Sequence, residues 1–299
     1  MTVIARQTPL VAHAIPGLPV TQLVVGKRAK DVAELLPRVF NLCRTAQAVA
    51  ARLALGLPAE DEDSQREGLR REILRDHLMR LMFVLPGRLG TGSHALPANW
   101  EADPVTVRTA VFGSGQRCPD TADDMNAFLA SGQGIAPVLS AVAACFPDGI
   151  AAVDLPLVDD RTALEPDPVE NTVAARHSDH PALSAIANTH GRGPLWRSAA
   201  RLFDIDACLT GTLPAPRIIE PGAALVPAAR GTYSVRARVC DGSVTEFSRV
   251  TPTDHLLSPC GLLERSLATL PADRSGLAPL LLEILDPCSP VRLEETQDA

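Results

Sequence analysis

From Lys30 to Leu57 apolar residues recur at helical spacing: Val32, Leu35, Leu36 and Val39, then Cys43, Ala46, Ala50, Leu53 and Leu57. Pro37 interrupts the run, so the pattern predicts a short helix, a turn, and a longer helix ending near Gly56 and Pro58. An acidic loop over 60–64 leads into a second strong helix over 65–84. Further helices are expected at 121–131, with Asp120 or Thr121 as N-cap, and at 135–146, 181–189, 194–209, 260–270 and 276–285. The Gly-rich stretch 86–97 reads as turns, and the Pro- and Asp-rich stretch 154–170 as a long surface connection. Tyr233–Cys240 and Ser243–Val250 alternate around Asp241-Gly242, a two-residue hairpin signal. The expected fold class is mainly α (α+β): one domain over 1–299 with a small β-hairpin near 233–250, an irregular or short-strand segment over 1–25, and a tail over 289–299.

A chain of 299 residues, 46% hydrophobic and 21% charged, has enough apolar material for a substantial core. Aromatic residues make up only 3%, so that core must be built largely from Ala, Leu and Val, which favours close helix packing. A net charge of −7 without a clustered basic face argues against a nucleic-acid partner; the arginines of 66–80 alternate with Glu67, Glu72 and Asp76 as on a solvated helix. The N-terminal stretch lacks the long apolar run of a secretory signal, and no run reaches the roughly 18 residues that span a bilayer. Seven cysteines, an odd number with no Cys-x-x-Cys, fit reduced thiols in a cytoplasmic setting better than a disulfide framework. Gly90-Thr91-Gly92 lacks the Lys-Ser/Thr of a phosphate loop, and no Gly-x-Ser-x-Gly elbow is present. His177 and His180 have helical ligand spacing, but no nearby Cys or Glu completes a zinc site, so solvated histidines are the favoured reading.

A lone cysteine on an apolar helix face is usually a small buried hydrophobe, the reading given to Cys118, Cys145, Cys208 and Cys240. Cys43 and Cys288 differ by their surroundings. Arg38-Val39-Phe40-Asn41-Leu42-Cys43 and Asp286-Pro287-Cys288 resemble the two metal-binding motifs of the [NiFe]-hydrogenase large-subunit family, Arg-x-Cys-Gly-x-Cys-x-x-x-His and Asp-Pro-Cys-x-x-Cys-x-x-His. One cysteine of each pair remains. Phe40 and Asn41 stand in the places of the first cysteine and the glycine, and Gln47 in that of the histidine. At the far end Val291 replaces the second cysteine and Glu294 the terminal histidine. Between the ends, the helix running to Asp76-His77, the Arg-containing stretches 170–176 and 197–201, Arg230-Gly231, and Thr251-Pro252-Thr253 with Ser258-Pro259 resemble family segments in the same order.

The resemblance implies a large-subunit-like helical fold without hydrogen turnover, because two thiolates do not complete a binuclear centre. By position Cys43 corresponds to a bridging ligand and Cys288 to a terminal nickel ligand. Arg230 and Thr253 match the groups that donate toward cyanide in the family. Taken by themselves, Arg230 reads equally as a surface cation and Thr253 as a turn hydroxyl. The chain is thereby similar to HupK-type hydrogenase expression/formation proteins, degenerate relatives of the large subunit that act in maturation. The implied role is a non-enzymatic, cytoplasmic scaffold that transiently holds an Fe(CN)2CO fragment, or protects it from oxygen, with Cys43 as an iron ligand and the second soft donor supplied by Cys288 or by a small chaperone's cysteine. Its implied partners are the large-subunit precursor and small HypC-like chaperones. The altered tail implies that the maturation protease does not cut it. Two other readings stay open: a metal-free interaction module that mimics the large subunit, and a quinone-binding respiratory-complex-like subunit, against which the few aromatics and the retained cysteines speak.

Overall fold

The computed structural model describes residues 10–295 apart from 16, 41, 59–60 and 148. The expectations for 1–9, for Asn41 and for the last four tail residues lie outside the described residues. Strand β1 (Leu10–Ala14) is followed by α1 (Val20–Val24), α2 (Ala29–Val39), α3 (Arg44–Ala54) and α4 (Glu62–Leu78). A π-helical turn over Met79–Val84 continues α4 directly into α5 (Leu85–Leu89). Then come α6 (Pro104–Phe112), α7 (Ala122–Ala130), α8 (Ala136–Cys145), α9 (Val173–Arg176), α10 (Pro181–His190) and α11 (Pro194–Thr210). Strands β2 (Arg217–Glu220), β3 (Ala223–Ala228), β4 (Gly231–Cys240) and β5 (Ser243–Val250) precede α12 (Pro252–Leu256), α13 (Leu262–Ala268), α14 (Ala278–Leu285) and β6 (Val291–Glu295).

The periodic segments fold where their patterns place them. Pro37 does not break α2; it sits in the last turn, and the chain leaves the helix at Phe40. α7 starts on a capping box in which Thr121 and Asp124 satisfy each other's backbone N–H groups. Three features depart from expectation. The hairpin β4–β5 is half of a four-stranded antiparallel sheet ordered β2-β3-β4-β5. β3 is buried along its whole length, so it shows no alternation and carries Pro227 unnoticed. The stretch 154–170 is not merely superficial, for Leu155, Ala163, Leu164 and Val169 are buried in it. The tail forms β6, which pairs antiparallel with β1 from Ala14↔Val291 to Leu10↔Glu295.

Two apolar clusters organise the molecule. The larger surrounds α11 and gathers α4, α6–α8, α10, α13 and α14; the smaller joins α1–α3 to the inner face of β3–β5. Each fully buried Leu or Ile in them contributes about 1.5–3 kcal/mol. α11 is buried on nearly all sides, yet it carries Arg197, Arg201 and Asp204 at i, i+4 and i+7, one stripe of charge inside the protein. Buried charge of this kind requires partners, and those partners build the site.

Candidate functional site: a two-cysteine cavity at the cluster boundary

Three chain reversals bring the sequence-predicted residues together. The first is Cys43, the residue before α3, held at φ 50° in the left-handed region. A side chain there is strained, and such strain persists only where the surroundings over-determine it. Here Glu72 from α4 accepts from the backbone N–H groups of Thr45 (2.7 Å) and Ala46 (3.2 Å), fixing the start of α3. Burial raises the Glu72 carboxyl above its usual range, against the effect of those backbone donors. The Gln47 side-chain amide donates to the Leu42 carbonyl at 2.8 Å and closes the loop before Cys43.

The second reversal is the two-residue turn Ala229-Arg230 between β3 and β4, closed by the pairing Ala228↔Gly231. Gly231 has φ 143°, and a Cβ there would fall 1.9 Å from the Asn171 carbonyl, so only glycine fits. Asn171 clamps the turn by accepting from Thr232 N (2.8 Å) and donating to Thr232 O (2.9 Å). The third reversal is Asp286, also left-handed at φ 53°, which ends α14; Pro287 then forbids continuation. Cys288 follows, its N–H donating to the Thr253 hydroxyl at 2.8 Å.

Arg230 joins all three. Its Nε donates to the Asp286 carbonyl at 3.0 Å, and its Nη2 lies 3.2 Å from Asp286 Oδ1 and 3.3 Å from Asp76 Oδ1. Its Nη1 faces Cys43 Sγ at 3.6 Å. The guanidinium is 7% exposed, so it is no surface cation. Asp286 and Asp76 raise its pKa further. Asp286 is also bonded by Arg80, from the π-helical turn, and by Arg201 (3.2 Å). Burial would raise the Asp76 carboxyl, but Arg230 and Arg201 outweigh it and hold the group below the usual range.

Cys43 and Cys288 line one cavity of about 300 Å³, with Arg230, Gln47, Tyr233, Arg249 and Thr251 among its walls. Burial pushes the Cys43 thiol up to about 12, with Arg230 opposing; the sulfur is therefore protonated at neutral pH until something displaces the proton. Phe40 fills the place of the missing first cysteine, and the Arg249 guanidinium stacks on its ring at 4.3 Å. Val291 lines a neighbouring groove rather than this cavity; Cys288, Ser289 and Leu42 border both. Thr253 is buried and spends its oxygen on the Cys288 backbone, while Thr251, the N-cap of α12, reaches the cavity wall. Of the four sequence-predicted site residues, Cys43, Cys288 and Arg230 face the cavity, and Thr253 holds one of them in place.

A second polar centre lies deeper. Asp204 is fully buried and accepts from His77 Nε2 (2.6 Å), Arg176 Nη1 (2.9 Å) and His177 Nε2 (2.7 Å). Arg201 can only donate, so His77 Nδ1, 2.9 Å from Arg201 Nη1, must accept and its proton sits on Nε2. Burial lowers the His77 pKa below 6.5 and keeps the ring neutral. Burial works to raise the Asp204 carboxyl, but Arg176, His177 and His77 together hold it well below the usual range. His177 is thus not a solvated histidine but binds Asp204, while the half-buried His180 packs on Phe203 with ring centres 4.1 Å apart. Nor are all the other cysteines buried, since Cys240 is exposed at the end of β4. Among the described residues no group of three or more His, Cys, Asp or Glu side chains comes together to hold a metal.

The sequence reading missed Tyr233, Arg249 and Glu72 as parts of the site. Tyr233 is the chain's one tyrosine and stands three residues after Arg230, on β4 and so next to the turn once the hairpin is placed; Glu72 and Arg249 carried no comparable signal.

None of the known protein-family profiles matches the chain. It is 46% identical over 282 residues, 94% of its length and 92% of the other's, to the hydrogenase expression/formation protein HupK of Rhodobacter capsulatus. It is 25% identical to the protein of that name from Azotobacter vinelandii, over 90% of its length and 89% of the other's. Similar solved structures include an NAD+-reducing [NiFe]-hydrogenase (TM-score 0.55, 16% identity, 92% of this chain and 90% of that one). Another is the Ni-Fe-Se hydrogenase of Desulfovibrio vulgaris Hildenborough in the reduced state (TM-score 0.57, 13% identity, 93% and 95%). The overall fold is therefore that of the hydrogenase large subunits, and by the first of these identities the chain belongs to the HupK family of hydrogenase expression/formation proteins.

Proposed function

We propose that the protein is a non-enzymatic factor in [NiFe]-hydrogenase maturation that transiently holds an Fe(CN)2CO fragment as cargo. The observation that carries this reading is the convergence of Cys43 and Cys288, from opposite ends of the chain, on one small cavity beside the Nη1 of Arg230. The donor set suits such cargo: two soft thiolates for a low-spin iron, and a buried guanidinium for a cyanide nitrogen. It does not suit a binuclear nickel–iron cage, since Phe40 occupies one thiolate position and Val291 lies outside the cavity. Fewer thiolates than the final site also favour release.

Binding would begin with loss of the Cys43 proton, so uptake should strengthen as pH rises and release should follow reprotonation. The large-subunit precursor is the proposed acceptor and a small HypC-like chaperone the proposed donor, each reaching Cys288 along the adjoining groove. No helix among the described residues is long and apolar enough to cross a membrane, which fits exchange in the cytoplasm. The test is transfer: protein isolated anaerobically after growth on iron-57 is mixed with the large-subunit precursor, and the label is followed. Passage of iron-57 to the precursor, lost in Cys43→Ser, is expected; label that never associates with the wild-type protein would reject the reading.

A further inference from the structure

Two residues that line the cavity carry polar atoms left short of a partner: Gln47 Oε1 has none, and the Tyr233 oxygen, which accepts from Arg249, has no acceptor for its own proton. Tyr233 is 2% exposed and Gln47 is 4% exposed, and both line the cavity. The Gln47 amide nitrogen is spent on the Leu42 carbonyl, which fixes its orientation, and its Oε1 is buried without a partner. The Tyr233 hydroxyl is likewise buried with its proton uncommitted. Arg249 lies beside it, but a guanidinium has only donors, so it gives that proton nowhere to go. A buried hydroxyl without an acceptor is destabilising, and most are satisfied. Burial pushes the phenol up to about 12, so it keeps its proton at neutral pH. In the lining of the same cavity, Arg230 Nη1 makes only the long 3.6 Å approach to Cys43 Sγ.

We infer that Tyr233 is a ligand-contacting residue of this cavity, its hydroxyl donating, together with Arg230 Nη1, to the nitrogen end of a small cyanide-type anion, while Gln47 accepts from a donor accompanying that ligand. The inference rests on the iron-holder reading for the identity of the ligand. The phenol supplies the hydroxyl donor that Thr253 does not, because Thr253 lies outside the cavity lining. A neutral phenol also adds no net charge, so the buried Arg230 and the half-buried Arg249 remain the cations of the cavity wall.

Tyr233→Phe removes the hydroxyl and keeps the ring. The probe is thiocyanate, a linear anion whose nitrogen accepts hydrogen bonds and whose nitrile stretch falls in a clear infrared window. Metal-free wild type should take up thiocyanate with a shifted nitrile band. Tyr233→Phe should bind it several-fold more weakly, and its melting temperature without ligand should equal or exceed that of wild type. No uptake by wild type, equal affinity in both proteins, or a lower melting temperature for Tyr233→Phe would each overturn the inference; the last would mean that the hydroxyl has an acceptor inside the fold. The two readings fail separately. Wild type that binds thiocyanate through Tyr233 but never acquires cyanide or carbonyl bands defeats the iron-holder reading alone. Cyanide bands identical in wild type and Tyr233→Phe defeat the role of Tyr233 alone.

Discussion

Of the buried polar centres in the protein, two draw on both α4 and α11, and they differ in what is left over. Around Asp204 every nitrogen that reaches the carboxylate finds it, and the charges of Arg176 and Asp204 sit against each other inside the core. Around Cys43 the same logic stops short. Arg230 uses Nε and Nη2 on Asp286 and Asp76 but turns Nη1 to a sulfur beside an open cavity, and Gln47 and Tyr233 carry polar atoms left short of a partner in its wall. The first centre explains itself as structure. The second is the one for which we propose a guest. His77 ties them together, since it bridges Arg201, which serves Asp286, to Asp204.

The comparison breaks most readily at Asp204. Asp204→Ala leaves Arg176 buried without its counterion and should cost about 3–5 kcal/mol, read as a large loss of soluble protein and of urea midpoint; a loss below about 1 kcal/mol would put the centre outside the core's accounting. Arg230→Lys keeps the charge but not the fork that bonds Asp286 and Asp76. It should cost about 1.5–3 kcal/mol and also lower iron content, because one side chain serves both structure and cavity. Cys43→Ser and Cys288→Ser should change stability by less than about 1 kcal/mol while removing bound iron, the reverse of the Asp204 result. Acid sharpens the contrast further. His77 has its folded pKa depressed below 6.5 by burial, so its contribution is present above that pH and is lost as pH falls below it, when the unfolded chain takes up a proton that the native state refuses. Urea midpoints should therefore decline from pH 7 to pH 5, well before Asp204 titrates; a flat profile over that range would show His77 charged in the fold. Smallest of all, Phe40→Leu should cost about 0.5–1 kcal/mol through loss of the Arg249 stack.

The helices were legible because α7 opens on a capping box and α8, α10, α11 and α14 each open with a proline in the first turn. α6 was not, since its Val and Thr residues favour strands and only Asp103-Pro104 announces a helix start. β3 was hidden by burial on both faces. Within the site, Cys43, Arg230 and Cys288 could be picked out because their sequence neighbours resemble the large-subunit motifs, Arg38 before Cys43, Gly231 after Arg230 and Asp286-Pro287 before Cys288. The role of Thr253 was not visible, because whether a hydroxyl faces a cavity or a backbone amide depends on which residue of α12 the capping box of Thr251 and Asp254 turns inward. Tyr233 stayed hidden for a similar reason: one residue along β4 decides whether a phenol faces the cavity or the opposite side of the sheet.

The central claim is that the cavity lined by Cys43 and Cys288, not the Asp204 centre, receives the proposed guest. Infrared spectroscopy of protein purified anaerobically alongside the hydrogenase maturation chaperones tests it most directly. Cyanide and carbonyl stretches are expected in wild type and should vanish when Cys43 and Cys288 are both serine while the fold persists. Wild type without those bands, or a double-serine variant that keeps them, would contradict the account.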